Sequence, residues 1–373
     1  MKEIATTVAT VSVIVGTSGV HGGTRFSEVG QAFATELRTP KRARPVVAIL
    51  ADNRGAELTD CLVPHAALSR SGVADVILVA PTAGKIDLMP ALAIKAQQTL
   101  GDFDREHSIG ADYVIVPAMH HDDRTGPVVE WLRRQAALGA TIIGICEGAR
   151  VLGRAGLLDG RCATSHWYAQ SDLRSAYPSM KWVADRRYVA DDGVVTTTGV
   201  TASLPVSLAL VEAIAGTPAA KKLADALGVE NYGDMHDSSR YRLNASHVWR
   251  IVANSAAFWR HETIGIQVSE GVDSIALALT ADAWARTYRS KVLALGGAAC
   301  IKTRDGIDLM VDDHKGKTSS DLSMTLDPGL SAAAHLDRAL EEISHRYGQD
   351  SAQLVALQLE FAWQPTLLSS VKS

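Results

Sequence analysis

From residue 46 to residue 216, short apolar runs alternate with helical segments, and this alternation constrains the fold more than any other feature. The runs include VVAILA (46–51), VADVILVA (73–80), DYVIVPA (112–118) and ATIIGIC (140–146). The segments between them, such as LTDCLVPHAALSRSG and PVVEWLRRQAALG, end at a glycine, as helices commonly do. Strands that alternate with helices pair in parallel through right-handed crossovers. The sequence therefore predicts an α/β fold with a flavodoxin-like, doubly wound parallel sheet.

The rest of the chain divides around that domain. We expect an apolar leader and linker over 1–43, the main domain over 44–216 and a helical connector over 217–260. The last segment, 261–373, reads as a degenerate partial repeat of the same βαβ pattern, because 263–286 reproduces the strand, glycine loop and helix of 46–70.

Two observations bear on that repeat. The tetrapeptide Ile-Asp-Leu-Met occurs at 86–89 and again at 307–310, although so short an identity also arises by chance. Setting Gly271 against Gly55 places Ala276 at the position of Asp60, and no second strand–cysteine–glycine–helix element follows. Cys300 lacks that setting too. The pattern over 351–363 is compatible with either a strand or a helix.

The leader and the overall charge bear on location and partners. Residues 4–20 carry no charge, so the run is either a β-prone or disordered leader or a signal or anchor flanked only by Lys2. Net charge is −4, no polybasic run occurs, and the four cysteines form no CxxC pair. We expect a cytoplasmic protein that binds no nucleic acid; membrane attachment or export would depend on the leader.

The segment TIIGICEGARVLGRAGLL carries the clearest chemical signal. An apolar strand passes directly into a helix through Cys146, Glu147, Gly148 and Ala149. Such a turn exposes its central side chain at the carboxyl edge of a sheet, and the helix N-terminus favours a negative charge there. A cysteine is most often an inert buried residue, but this setting predicts a reactive thiolate at Cys146.

The chain resembles the ThiJ/PfpI superfamily, which has a class I glutamine amidotransferase-like fold. The resemblance rests on Asp60 four residues before Pro64, the turn ICEGARVL, the segment GLLDGRCATSHW and the closing YVADDGVVTTTGVTASLPVSLALVEAIAG. It implies that Cys146 is the nucleophile and that Asp60 is its acid/base partner with a raised pKa. It also places His166 near the cysteine.

Several roles stay open at this point. Asp60 is either that partner or a solvated helix-start residue, and His166 is either a general base or a packed histidine beside Trp167. Glu147 is a second acid, a charge that repels the thiolate or a complement to the helix N-terminus.

The predicted oxyanion site departs from the family pattern. The resemblance implies backbone amides at Ala118, Met119, Glu147 and Gly148, but Ala118 and Met119 stand where relatives often carry glycines. The following His120, His121, Asp122 and Asp123 read as a solvated loop rather than a metal site. We expect neither a metal nor a cofactor.

Two functions fit these residues. The first is a cysteine-dependent hydratase or hydrolase-like enzyme that acts on a small electrophile, by resemblance an isocyanide or a reactive carbonyl. The second is a ligand or stress sensor, because 139–167 also resembles the sensory domain of AraC-type regulators. We find no basic recognition helix in the C-terminal region. We expect a small-molecule substrate or ligand and a homodimer.

Overall fold

The computed structural model describes residues 27–119 and 125–364. The leader run 4–20 and the loop residues His120–Asp123 lie outside them. In chain order the strands are β1 (Val46–Leu50), β2 (Ala56–Glu57), β3 (Asp75–Ala80), β4 (Lys85–Met89), β5 (Ala93–Lys95), β6 (Gln98–Thr99), β7 (Tyr113–Val116), β8 (Thr141–Gly144), β9 (Cys162–Ala163), β10 (Lys181–Trp182), β11 (Tyr188–Asp191), β12 (Val194–Thr197), β13 (Glu262–Gln267), β14 (Ser290–Leu295), β15 (Cys300–Lys302), β16 (Asp308–Met310) and β17 (Leu322–Thr325).

The helices surround these strands. They are α1 (Glu28–Thr35), α2 (Leu58–Ser71), α3 (Leu100–Glu106), α4 (Pro127–Ala137), α5 (Gly148–Arg154), α6 (Gln170–Ala176), α7 (Ser203–Ala215), α8 (Thr217–Leu227), α9 (Ala245–Ala256), α10 (Ser274–Ala285), α11 (Ala334–Tyr347) and α12 (Gln349–Leu359).

The main sheet has the order β11-β12-β8-β7-β1-β3-β6. The central strands β12, β8, β7, β1 and β3 pair in parallel, and β11 is antiparallel at one edge. Strand β1 lies between β3 and β7, so the order reverses beside it and opens a crevice at the carboxyl ends. The prediction of an α/β fold with a parallel central sheet is confirmed.

Each face of the sheet has its own apolar core, because alternate residues of a strand point to opposite faces. Val47 and Ile49 of β1 pack on the side of α2 and α7, whereas Val46, Ala48 and Leu50 pack on the side of α3, α4 and α5. All five residues of β1 are buried. A five-residue run without polar positions is therefore what a strand covered on both faces needs.

The C-terminal region forms a second, smaller α/β unit. Strand β13 pairs in parallel with β14 on one side and with β17 on the other. Helix α10 lies between β13 and β14 in the chain and joins the core on the α2 side. The segment left open as strand or helix is helix α12 for most of its length. The connector is helical only at its ends, in α8 and α9, with a single 3₁₀ turn at Ser238–Arg240 between them.

The repeated tetrapeptide does not mark equivalent positions. Ile86–Met89 lies in β4, the first strand of a hairpin with β5, whereas Ile307–Met310 leads into β16, the second strand of a hairpin with β15. With Gly271 set against Gly55, Ile86–Met89 falls against 302–305. The identity at 307–310 therefore gives the repeat no support, and that part of the sequence argument is wrong.

Within the described residues, no helix has both the length and the apolarity to cross a bilayer.

Helix α5 approaches the end of β7 so closely that Gly148 has no room for a side chain. A Cβ atom there would lie 2.1 Å from the carbonyl oxygen of Val116. We expect Gly148→Ala to lower the free energy of unfolding by about 1–3 kcal/mol, since the backbone must shift. Denaturant unfolding measures this, with Gly297→Ala as control because a Cβ there meets nothing within 4 Å. Equal stability of the two variants would contradict this close contact.

Candidate active site at the Cys146 turn

Cys146 occupies a sharp turn between a central strand and its following helix. Strand β8 ends at Gly144, α5 begins at Gly148, and Cys146 itself has φ +54°. A residue other than glycine in this left-handed region costs on the order of 1 kcal/mol or more, so neighbours must hold it. The Cys146 N–H donates to Thr197 Oγ1 at 3.2 Å, and its carbonyl accepts from Ser165 Oγ at 2.7 Å. These bonds fix the backbone that carries the thiol.

A cavity of about 190 Å³ adjoins the turn. Sites for drug-sized ligands usually enclose about 300–1,000 Å³, so this cavity suits a molecule of only a few heavy atoms. Both the main domain and the C-terminal unit contribute to its lining, which comprises Glu57, Met89, Pro90, Ala118, Met119, Cys146, Glu147, His166, Val200, Arg286 and Gln358.

Asp60, in the first turn of α2, is completely buried. Its Oδ2 accepts from the Ala118 N–H at 3.1 Å, and Oδ1 lies 3.2 Å from Ser203 Oγ. Burial, with the neighbouring Glu57 charge, raises the pKa of Asp60 well above its usual value. The reading of Asp60 as a solvated helix-start residue is therefore wrong.

The contacts of Ser203 fit a protonated Asp60. Ser203 Oγ lies 2.7 Å from the Val200 carbonyl, which can only accept, so the single hydroxyl proton has its partner there. Ser203 Oγ can then accept from a protonated Asp60, which is the form that burial favours.

Cys146 is 5% exposed, and its protonation differs from the sequence prediction. Burial raises the pKa of the Cys146 thiol well above its usual value, and the nearby Asp60, Glu147, Glu57 and Glu360 raise it further. The expected thiolate assumed that the helix N-terminus would dominate. Helix α5 has only seven residues, and desolvation outweighs its dipole. The free protein therefore holds Cys146 as a thiol.

His166 lines the cavity, but both of its ring nitrogens already have partners. Nδ1 accepts from the Tyr168 N–H at 3.3 Å, so Nε2 carries the proton and donates to the Gln358 carbonyl at 3.0 Å. Burial lowers the pKa of His166, which keeps the ring neutral, and the Trp167 ring lies against it at 5.0 Å between centroids. This geometry favours the packed histidine over the general base.

Glu147 turns away along its helix. Its Oε2 accepts from Arg150 Nε at 2.7 Å, and the same guanidinium pairs with Asp172 at 3.0 Å. The carboxylate of Glu147 is thus held in an i,i+3 ion pair, which removes much of its capacity to serve as a second acid.

Two of the amides expected to bind an oxyanion are already used. The Ala118 N–H donates to Asp60, and the Gly148 N–H donates to the Ile145 carbonyl at 2.7 Å as part of the turn. The residues Met119 and Glu147 line the cavity and carry the other two candidate amides. An oxyanion site here would rest on those two.

The sequence analysis missed Arg286, Gln358 and Glu360, which come from the C-terminal unit. Arg286 follows α10 and donates to Glu57 Oε1 at 2.8 Å and to Asp282 Oδ1 at 2.7 Å. Gln358 Nε2 donates to the Arg286 carbonyl at 3.0 Å. No local pattern marked these residues, because their partners lie far away in the chain.

Glu360 joins the end of α12 to the loop that carries His166. Its Oε1 accepts from the Trp167 N–H at 2.8 Å, and its Oε2 lies 3.2 Å from His236 Nε2. Burial alone would raise the pKa of Glu360, but hydrogen bonds from His236 and from the Gly199 and Trp167 N–H groups outweigh it and lower that pKa. The carboxylate form therefore stabilises this junction.

Among the described residues, no group of three or more His, Cys, Asp or Glu side chains is arranged to hold a metal ion. Residues His120–Asp123, which the sequence analysis interpreted as a solvated loop rather than a metal site, lie outside the described residues.

Replacing Glu360 with glutamine tests the junction. Since the folded pKa of Glu360 is depressed, its charge stabilises the protein above the unfolded pKa, and this contribution is lost as pH falls through the folded value. We expect Glu360→Gln to cost about 1–3 kcal/mol at pH 7 and to unfold with a weaker pH dependence below about pH 5. Urea unfolding at pH 7 and pH 4 measures both effects.

The control is Glu342→Gln, which removes a surface carboxylate paired with Arg338. It should change stability by less than about 0.5 kcal/mol at either pH. If Glu360→Gln behaves like this control, the carboxylate does not hold the junction.

Comparison with known proteins identifies the family of the main domain. The model of the DJ-1/PfpI family matches residues 45–213. The HTH-type transcriptional regulator CdhR of Pseudomonas aeruginosa is 33% identical over 138 residues, which are 36% of this chain and 41% of the regulator. The isonitrile hydratase of Pseudomonas putida is 31% identical over 141 residues, which are 36% of this chain and 59% of the hydratase.

A solved structure, DJ-1beta of Drosophila melanogaster, superimposes with a TM-score of 0.45 and 21% identity over 50% of this chain and 100% of its own. The chain thus spans about two fifths of the regulator and three fifths of the hydratase. Residues 45–213, with the Cys146 turn, are a domain of the DJ-1/PfpI family.

Proposed function

We propose that the protein is a cysteine-dependent enzyme that adds water to a small electrophile, an isocyanide first and a reactive carbonyl second. The observation that carries this proposal is a buried acid, Asp60, which is hydrogen-bonded to Ala118, a residue that lines a cavity of about 190 Å³ together with Cys146. An isocyanide carbon accepts both a proton and a nucleophile, so a neutral acid beside a neutral thiol matches its chemistry. The hydratase among the relatives supports the same class.

In the first step Asp60 gives its proton to the isocyanide carbon, and the Cys146 sulfur bonds to the same carbon. The thiol proton passes to the Asp60 carboxylate, which restores the acid. The product is a thioimidate, R–N=CH–S–Cys, in which one C–H and one C–S bond have formed.

In the second step water bonds to that carbon and the nitrogen gains a proton. The C–S bond then breaks, the sulfur regains a proton and an N-formamide leaves. The net reaction adds one water to one isocyanide, and Cys146 ends as it began. With a carbonyl substrate, Asp60 gives its proton to the carbonyl oxygen while the Cys146 sulfur bonds to the carbon, and the thiol proton restores the acid. The product is a hemithioacetal.

A sensor is the second candidate, and specific observations favour it. Two of the four candidate amides are engaged within the protein, which leaves fewer donors for a developing oxyanion. One relative is named a transcriptional regulator. A second cavity of about 430 Å³ also borders Glu360, with Trp167, His236 and Tyr241 in its lining. A sensor would bind a small ligand without consuming it.

Isocyanide loss and formamide appearance, followed by NMR, test the enzyme. We expect Cys146→Ala to reduce turnover about 10³-fold or more and Asp60→Asn to reduce it about 10²- to 10⁴-fold. Cys162→Ala is the matched control and should retain full turnover, because Cys162 lies in β9, outside the described lining of the cavity. Methylglyoxal replaces the isocyanide in a parallel assay.

The pH dependence of turnover provides a further test. Because the acid form of Asp60 is the working form, turnover should fall as pH rises through its raised pKa and not as pH falls through the acid range. If neither substrate is consumed by the wild type, while one of them raises Tm, the enzyme proposal fails and the sensor stands.

A further inference from the structure

The C-terminal unit packs against the main domain as a second copy of that domain would. Helices α2 and α10 are in contact, and each has a carboxylate at its N-cap and an arginine near its C-terminus. With Gly271 set against Gly55, Asp273 falls against Glu57 and Arg286 falls against Arg70. These are the residues that join the two helices.

The ion pairs between the helices are reciprocal. Arg286 Nη2 lies 2.8 Å from Glu57 Oε1, and Arg70 Nη2 lies 2.9 Å from Asp273 Oδ1. The caps match as well, since Glu57 accepts from the Asp60 N–H and Asp273 accepts from the Ala276 N–H. A contact in which i meets j′ and j meets i′ is the signature of a two-fold interface.

The strand pairing repeats this reciprocity. Strand β16 pairs antiparallel with β5, with Leu309 opposite Ile94 and Met310 opposite Ala93. In the same alignment Leu309 falls against Ala93 and Met310 against Ile94. Each pair is therefore the counterpart of the other, as when a strand pairs with its own copy across a two-fold axis.

The pseudo-symmetry is broken at the active site. Ala276 takes the place of Asp60, and the second copy has no counterpart of the Cys146 turn. Arg286 therefore lines a cavity with a thiol in it, whereas its equivalent Arg70 pairs with Asp273 and Asp305 outside the described lining.

We propose that residues 262–311 act as a built-in second subunit, and that Arg286 is a positioning residue for the Cys146 site. The role assigned to Arg286 rests on the proposed function of Cys146. Carboxyl groups of Asp60, Glu57, Glu147 and Glu360 act electrostatically on Cys146. The neutral His166 lines the same cavity, and Arg286, which also lines it, is a cation that offsets those groups.

The rate at which iodoacetamide alkylates Cys146 tests the effect of the Arg286 charge without any substrate. Peptide mass spectrometry measures that rate across a pH series. We expect Arg286→Gln to move the pH midpoint upward by about one unit, which is about tenfold slower alkylation below the midpoint. Arg286→Lys keeps the charge and should stay closer to the wild type.

Arg70→Gln is the matched control, because it breaks the equivalent ion pair of the same interface away from the thiol. It should leave the Cys146 profile within about twofold, even if stability falls. Should Arg286→Gln fail to fold, Asp282→Asn/Arg286→Gln removes the cation together with one of its two carboxylates and takes its place.

Three results would overturn the proposal: an unchanged profile in Arg286→Gln, an equal slowing in Arg70→Gln, or an Arg286→Lys variant as slow as the glutamine variant. If Arg286→Gln shifts the pH dependence of Cys146 alkylation but the protein consumes no isocyanide or carbonyl, this inference holds. Only the proposed enzyme function then fails.

Discussion

The buried ion pair between Glu57 and Arg286 connects the architecture to the chemistry. Glu57 caps α2 by accepting from the Asp60 N–H at 2.6 Å, and its other carboxylate oxygen accepts from Arg286 at 2.8 Å. Removing one partner of a buried ion pair commonly costs several kcal/mol, because the other charge is left buried, and Glu57 is the more buried of these two residues. The first turn of α2, which carries the candidate acid, is thus held in place from the C-terminal unit.

The order of strands and helices followed from local pattern, and the reason is physical. A strand covered on both faces must be largely apolar, as β1 is, and many helices end at a glycine, as α2 does at Gly72. These are properties of a few adjacent residues, so a sequence displays them directly. Asp60 was singled out differently, through the resemblance to the ThiJ/PfpI superfamily.

Protonation and long-range partners could not be predicted in this way. The pKa of Cys146 depends on burial and on carboxyl groups from several separate segments, whereas the sequence displays only the adjacent helix. Arg286 and Gln358 reach the cavity, and Glu360 reaches the loop that carries His166, from a unit more than a hundred residues away in the chain. In the repeat, by contrast, a local identity misled, because the identical tetrapeptides lie at positions that are not equivalent. Aligning Gly55 with Gly271 instead places the residues of the two reciprocal ion pairs at equivalent positions.

The charge balance of the cavity limits the chemistry that we propose for it. Carboxyl groups from Glu57, Glu147 and Glu360 act on Cys146, so an added negative charge on sulfur or on a tetrahedral oxygen would be costly there. The Ala118 and Gly148 amides that would share such a charge already donate within the protein. Addition of a proton and a thiol to one carbon creates no net charge, and it begins from the neutral pair that burial favours. For the same reason, peptide or amide hydrolysis, which passes through an oxyanion, fits this site less well than addition to an isocyanide.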